Sequence, residues 1–135
     1  MSDPPLIPGS HLRRDCCIWP QTPTKGQIAE LGAAAVALRA LRREIMAKLG
    51  YSLRALYRTL EEPGANPLRE AHTRLDTAVR AAYAMPKPAD PLAFLLALNL
   101  DLAAKEKAGE PITPPGLPLK DGTAFITEDC IRVNE

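Results

Sequence analysis

The apolar residues between positions 24 and 109 recur at the spacing of an α-helix, and this pattern constrains the fold more than any other feature. The first stretch with this 3.6-residue period comprises Ile28, Leu31, Ala35, Leu38, Leu41, Ile45 and Leu49. Hydrophobic residues make up 46% of the chain and aromatic residues only 4%, so Leu, Ala, Ile and Val must form the core. Such side chains suit interdigitating helices, and we predict an all-α fold.

Capping residues place the first two helices. Thr24 is a suitable N-cap for a helix that ends near Gly50, since glycine favours the left-handed conformation that follows a helix. Ser52 caps a short second helix, and Glu62-Pro63-Gly64 stops it.

Two further helices begin at proline. Asn66-Pro67 and Asp90-Pro91 each place an N-cap before a proline at the first helical position, where the missing N–H has no intrahelical partner. The third helix is expected to end near Ala84 and the fourth near Gly109. The leucines of the fourth cover most of its circumference, which predicts either packing on several sides or an exposed docking surface.

Prolines dominate both ends of the chain. Residues 1–23 contain five of them and lack periodicity, which indicates an extended arm or the end of a preceding domain. Residues 110–135 form a second Pro-rich region, an irregular tail in which 123–127 have the composition of one short strand. The expected organisation is therefore an arm, a bundle of about four helices over 24–109, and this tail.

Charge is distributed unevenly. The net charge is +1, but residues 39–80 carry nine basic and five acidic side chains, whereas residues 90–135 carry four basic and eight acidic ones. The basic half weakly indicates a surface that faces a polyanion. The three cysteines, Cys16, Cys17 and Cys130, form a poor disulfide framework, and we expect a cytoplasmic protein with reduced thiols and no membrane partner.

The sequence lacks the residue patterns that catalysis by this chain requires. It has no glycine-rich turn for a methyl donor, no P-loop, and no Asn/Asp-Pro-Pro-aromatic loop, because Asn66-Pro67 and Asp90-Pro91 are followed by leucine. His11, Cys16 and Cys17 lack the spacing of zinc ligands. We expect no catalytic residue, no metal site and no cofactor in this chain.

Arginines recur at helical spacing and are the candidate binding residues. Because positions three and four apart share a helix face, we assign DNA-backbone contact to a set drawn from the first three helices: Arg39, Arg42, Arg43, Arg54, Arg58 and Arg69. The alternative is a solvated face, partly neutralised by neighbouring glutamates.

Two polar residues fall on apolar faces. His72 lies on the apolar side of the third helix and Asn99 within that of the fourth. An unpaired buried polar group is costly. We therefore predict that they pair with each other or with backbone groups and fix how these helices dock.

A longer string supports a family resemblance. The residues that carry it are Gly64-Ala65-Asn66-Pro67-Leu68-Arg69-Glu70-Ala71-His72, Leu75-Asp76, Ala78-Val79, Ala82-Tyr83 and Leu95-Leu96-Ala97-Leu98-Asn99. Over roughly residues 18 to 130 the chain resembles the C-terminal region of MmeI-like bacterial DNA methyltransferases, which include type IIL restriction–modification enzymes. The Ala84 that follows Tyr83 departs from the glycine that the resemblance leads us to expect.

The resemblance implies a role without catalysis. In that family a central domain transfers a methyl group from S-adenosylmethionine to adenine N6, and a separate domain before the C-terminal helices reads the DNA. Neither domain has a counterpart here, so the chain is expected to be a helical module that supports target recognition. Expected partners are duplex DNA and a separately encoded methyltransferase or recognition chain. The sequence leaves open whether the chain is the product of a truncated gene or one subunit of a split enzyme. The alternative function is a helical protein-interaction or structural module without a nucleic-acid role.

Overall fold

The described residues form four α-helices, and the predicted all-α fold is confirmed. A computed structural model of the chain describes residues 19–114, 116 and 123–126. The helices are α1 (Lys25–Leu49), α2 (Leu53–Arg58), α3 (Pro67–Ala82) and α4 (Pro91–Lys107). Two 3-10 turns, Thr59–Glu61 and Thr123–Phe125, accompany them. No helix in the described ranges combines the length and the apolar character that crossing a membrane requires.

The first helix is capped at both ends as its sequence predicts. The Thr24 hydroxyl accepts the backbone N–H of Gln27 at 3.1 Å, and the Gln27 side chain accepts the N–H of Thr24 at 2.9 Å. This reciprocal pair is a capping box. Gly50 ends α1 in the left-handed region with φ 65°, where a side chain would be strained.

The other three predicted N-caps are also confirmed. Ser52 accepts from the N–H of Ala55 at 3.2 Å, and Asp90 accepts from that of Ala93 at 2.9 Å. Asn66 accepts from two consecutive N–H groups and donates to the Thr59 carbonyl at 3.0 Å. Each cap satisfies donors that a helix start leaves unpaired.

The core lies where α1, α2 and α3 meet. Leu38, Leu56 and Leu68, one from each helix, are buried together. Half-buried side chains pack around them: Ile45, Met46, Tyr57, Leu60, Ala71 and Leu75. On α1, Ala34 is buried and Ala35 exposed, a shift of one residue from the predicted apolar face.

Helices α1 and α3 run antiparallel along their length. The Gln27 side chain donates to the Ala81 carbonyl at 3.0 Å, near the start of α1 and the end of α3. One to two turns along, Glu30 and Arg74 form an ion pair with a shortest N–O distance of 2.9 Å. The α1–α3 hairpin is therefore joined to α2 at one end and leads into α4 at the other.

Helix α3 ends in the left-handed conformation without a glycine. Ala84 has φ 53°, and the N–H of Met85 reaches back to the Arg80 carbonyl at 2.8 Å. This bond closes the helix as in a Schellman motif. The position is the one where the family resemblance leads us to expect glycine, so the sharp helix end is kept at the cost of a strained alanine.

Hydrogen bonds hold α4 mainly at its two ends. Before it, the Arg80 guanidinium donates to the carbonyls of Pro86 and Ala89 at 3.3 and 3.2 Å. After it, Gln21 and Thr113 are joined by three bonds, among them Thr113 N to Gln21 Oε1 at 2.9 Å and Thr113 Oγ1 to the Gln21 carbonyl at 2.8 Å.

The expected short strand is wrong for the part of it that is described. Residues Thr123–Phe125 form a 3-10 turn, in which the N–H of Ile126 bonds to the Thr123 carbonyl at 3.2 Å. A strand needs a neighbour for its backbone groups, and none occurs among the described residues. Residues 1–18 of the expected arm and Thr127 lie outside the described residues.

Candidate nucleic-acid interface

A line of three polar side chains joins α1, α2 and α3 at the edge of the core. Arg42 donates from Nη1 to the Tyr57 hydroxyl at 3.3 Å, and that oxygen lies 2.8 Å from His72 Nε2. The Tyr57 and His72 rings also meet edge to face, with centroids 5.4 Å apart and planes at 69°. Because the phenol accepts from Arg42, its own hydrogen is available for a neutral His72 to accept.

This line fixes which flank of α1 faces α2. Arg42 lies on that flank, and Arg39 lies one turn before both Arg42 and Arg43, at spacings of three and four residues. Arg54 and Arg58 lie one turn apart on α2, on either side of Tyr57 in sequence. We call these five arginines, three from α1 and two from α2, the basic face.

The basic face carries an excess of positive charge. Between residues 38 and 62 the sequence has six basic side chains and three acidic ones, Glu44, Glu61 and Glu62, which gives a net charge of +3. Arg43, Arg54 and Arg58 are exposed, and within the described part of the chain their side chains form no ion pair or hydrogen bond. Arg39 is half-buried and does have a partner. An anion that approaches this face from solvent therefore meets three guanidinium groups, those of Arg43, Arg54 and Arg58, that have no partner among the described residues.

Arg69 belongs to the fold and not to this face. Its Nη1 donates to the Gly64 carbonyl at 2.7 Å, and its Nη2 donates to those of Leu60 and Glu62 at 2.7 and 3.0 Å. The guanidinium thus holds the turn between α2 and α3. No sequence signal indicates this role, because the three carbonyls converge only once the turn has formed.

The predicted pairing of His72 with Asn99 needs correction. His72 bonds to Tyr57, and Asn99 is exposed on α4. The reason is that α4 is apolar nearly all round, so its composition does not reveal which side faces the core. The partner Tyr57 was missed; its hydroxyl gives a half-buried side chain a polar tip that needs a partner.

A second surface lies on the outer side of α4. Leu92, Leu96 and Leu100 are 79%, 59% and 63% exposed, while Leu102 on the opposite side is buried. Their spacing of four residues places them in one row, which we call the leucine stripe. The sequence predicted that α4 either packs on several sides or exposes an apolar surface, and the structure shows the exposed apolar surface.

An open cleft of about 400 Å³ separates the end of α3 from the start of α4. Its lining is mostly apolar and includes Asp76, Val79, Arg80, Tyr83, Met85, Pro91 and Leu95. Arg80 is engaged with turn carbonyls. Among these lining residues the cleft assembles no nucleophile next to a base.

The opposite flank of α1 carries an ion pair. Arg74 reaches Glu30 through two nitrogens, at 2.9 and 3.3 Å. The hydrogen bond and the charge of Arg74 lower the pKa of Glu30 from its ordinary value. On this flank basic charge is thus matched by acidic charge, unlike on the basic face.

Metal ligands do not converge in the described ranges. No group of three or more His, Cys, Asp or Glu side chains there is arranged to hold a metal ion. His11, Cys16, Cys17 and Cys130 lie outside the described residues. Comparison of the chain with protein-family models, with curated proteins and with solved structures found no match.

Proposed function

We propose that this chain is a non-catalytic helical module that binds the phosphate backbone of duplex DNA through its basic face. The observation that supports the proposal most is the set of exposed, unengaged guanidinium groups of Arg43, Arg54 and Arg58. Guanidinium groups match phosphate geometry and position a protein on DNA without reading sequence. A module that supports a separate recognition domain is expected to hold the DNA through such phosphate contacts, which do not depend on sequence.

The context of the module follows from the resemblance to MmeI-like DNA methyltransferases. We propose that the module supports target recognition by such an enzyme, as part of its chain or as a separately encoded subunit. Methyl transfer then belongs to the catalytic domain, and this chain needs no cofactor of its own. Mixing the isolated chain with labelled S-adenosylmethionine and duplex DNA should give no methylated DNA. Methylation by the isolated chain would contradict the proposal.

We propose a smaller set of DNA-contacting arginines than the sequence alone suggests. Arg69 is withdrawn from the proposed set because its guanidinium is bound to three carbonyls of the α2–α3 turn. Arg42 is placed at the edge of the face by Tyr57 and is expected to orient the flank as well as to add charge. The main contacts are then expected from Arg43, Arg54 and Arg58.

Two triple variants of equal charge test the assignment. The first changes the basic face by Arg43→Gln, Arg54→Gln and Arg58→Gln. The matched control removes the same charge elsewhere by Lys25→Gln, Lys87→Gln and Lys107→Gln. Both lower the net charge by three, so a difference between them reports position and not total charge.

The readout is the salt dependence of duplex binding, measured by fluorescence anisotropy. For wild type the logarithm of affinity should fall linearly with the logarithm of salt concentration, because each bound phosphate releases counterions. The basic-face variant should have a shallower slope, by about 0.9 for each arginine that no longer neutralises a phosphate, and the control should change the slope much less. Equal slopes in the two variants, or no binding by wild type at 50 mM salt, would contradict the proposal.

A second candidate function is a protein-interaction module without a DNA role. The observation that favours it is the leucine stripe, since contiguous exposed apolar surface marks interaction sites. The two functions separate in the same experiment, because an interaction module binds duplex neither in wild type nor in the control variant.

Co-purification of a separately encoded methyltransferase with this chain would support the subunit arrangement.

A further inference from the structure

The Tyr57 hydroxyl lies between two side-chain nitrogens that can both donate a hydrogen bond to it. Arg42 Nη1 is 3.3 Å from Tyr57 Oη and His72 Nε2 is 2.8 Å from it, and within the described ranges the oxygen has no further hydrogen-bond partner. The Arg42 guanidinium can only donate. The direction of the bond between Tyr57 and His72 depends on whether Nε2 carries a hydrogen.

The charge of His72 therefore decides where the Tyr57 hydrogen points. When Nε2 of a neutral imidazole has no hydrogen, the phenol donates to it, and the line from Arg42 through Tyr57 to His72 is closed. A protonated imidazole carries hydrogen on both nitrogens, so Nε2 donates to the phenol. The phenol then accepts from both neighbours, and its own hydrogen is left without an acceptor among the described residues.

We propose that Tyr57 is a further phosphate-binding residue of the basic face, and that protonation of His72 makes the hydroxyl hydrogen available for this bond. The inference rests on the proposed DNA contact through that face. Tyr57 is half-buried and stands between the exposed Arg54 and Arg58 in the sequence of α2. Tyrosine hydroxyls are among the donors that hold DNA phosphates.

Charge acts in the same direction as the change in hydrogen bonding. Protonated His72 and Arg42 place two positive groups around one phenol oxygen, and in the free chain these groups repel each other. A phosphate bound at the basic face offsets this repulsion. Because such coupling is reciprocal, proton uptake by His72 strengthens DNA binding, and bound DNA favours proton uptake. Affinity for duplex therefore rises as the pH falls through the range in which imidazoles titrate.

The other charged groups near His72 leave this sign unchanged. By contact or by helical spacing, the charged and titratable neighbours from the three core helices are Arg39 and Arg42 on α1, Arg54 and Tyr57 on α2, and Arg69 and Asp76 on α3. Asp76 is the acidic member of this set, and it is exposed one turn after His72. Its charge favours protonated His72 with and without DNA, so it does not oppose the difference between the two states.

Duplex binding measured by fluorescence anisotropy at about pH 6 and about pH 8 tests the proton linkage. The duplex carries no terminal phosphates, because these would titrate in the same range. Wild type should bind about fivefold more tightly at the lower pH, an ordinary size for coupling between two sites. The logarithmic salt slope should also be steeper there, by up to about 0.9 for one more neutralised phosphate. His11→Gln is the matched control, since it removes the other histidine, and it should keep the wild-type pH dependence.

Two variants separate the imidazole from the phenol. His72→Gln has no proton to gain and should bind duplex with equal affinity at both pH values. Tyr57→Phe keeps the ring that packs against the core but lacks the hydroxyl, so it should lose most of the difference between the two pH values. Circular dichroism checks that both variants keep their helices. A full pH dependence in Tyr57→Phe would overturn the role of the hydroxyl.

An NMR measurement on the His72 ring of wild type needs no variant. At about pH 7 a larger fraction of His72 should be protonated with duplex than without it. An unchanged fraction, or equal affinity of wild type at both pH values, would overturn this inference while the DNA contact itself stands. Failure of wild type to bind duplex at either pH would overturn the DNA contact as well.

Discussion

Helices α1 to α3 and helix α4 are all rich in apolar residues but contribute differently to the fold. The first three share a core in which Leu56 and Leu68 are 1% and 0% exposed. On α4 only Leu102 is buried, and the leucine stripe faces solvent. Apolar content therefore predicts helix formation in both regions, but it predicts core packing only where the apolar residues are confined to one face.

The two regions also differ in how polar side chains are used. In the core region, Arg42, Tyr57 and His72 connect three helices, and Glu30 and Arg74 connect two. On α4, Lys105 Nζ lies 2.7 Å from Asp101 Oδ2, and this ion pair stays within one helix and does not connect it to another. We expect the first region to unfold as one unit and α4 to open at lower free energy.

The largest expected effect contrasts a core leucine with a stripe leucine. Leu68→Ala should lower the free energy of unfolding by about 2–5 kcal/mol, since it opens a cavity between three helices. Leu96→Ala should change it by less than about 0.5 kcal/mol at concentrations where the chain is monomeric. Urea denaturation followed by circular dichroism measures both. Similar losses would show that α4 belongs to the core.

The N-caps provide a second contrast. Asn66→Ala should cost about 1–2 kcal/mol, because Asn66 caps α3 and also donates to Thr59. Asp90→Ala removes a cap of the same kind from α4, but it should mainly speed amide exchange within α4. Denaturation and hydrogen exchange on the two variants measure the difference. An equal cost in global stability would contradict the separation of the regions.

The junction between the regions should accept a stabilising change. Ala84 occupies the left-handed conformation at φ 53°, where glycine has no steric penalty. Ala84→Gly should raise the free energy of unfolding by about 1 kcal/mol. Ala81→Gly, within α3, is the control and should lower it by a similar amount. Thermal melts of the two variants should shift in opposite directions.

The smallest expected effect is a pH dependence from the Glu30–Arg74 pair. Arg74 lowers the pKa of Glu30 in the folded chain, so the pair stabilises the fold above the unfolded pKa. That contribution is lost as pH falls through the folded pKa. Wild type should lose slightly more of its melting temperature between about pH 5 and pH 3 than Glu30→Gln does. Both side chains are about half exposed, so high salt should weaken the difference.

Helix boundaries could be predicted from the sequence because their causes are local. Thr24, Ser52, Asn66 and Asp90 cap helices through groups two or three residues away, and such contacts form wherever the helix forms. The same holds for Gly50.

The site could be predicted less well, because it depends on contacts between distant residues. Arg69 looked like a surface cation, but its guanidinium binds carbonyls that converge only in the folded turn. Asn99 appeared to belong to a buried face because α4 is apolar on nearly every side. The helical spacing of Arg54 and Arg58 was correct, but only the bond from Arg42 to Tyr57 indicates which flank of α1 they lie beside.

The proposed division between a DNA-binding region and an uninvolved one can be tested directly by an NMR titration of the full chain with a short duplex. We expect chemical-shift changes that concentrate in residues 39–58, with α3 residues 74–81 and the leucine stripe little affected. Changes centred on α4, or none at 50 mM salt, would contradict the assignment of DNA binding to the basic face.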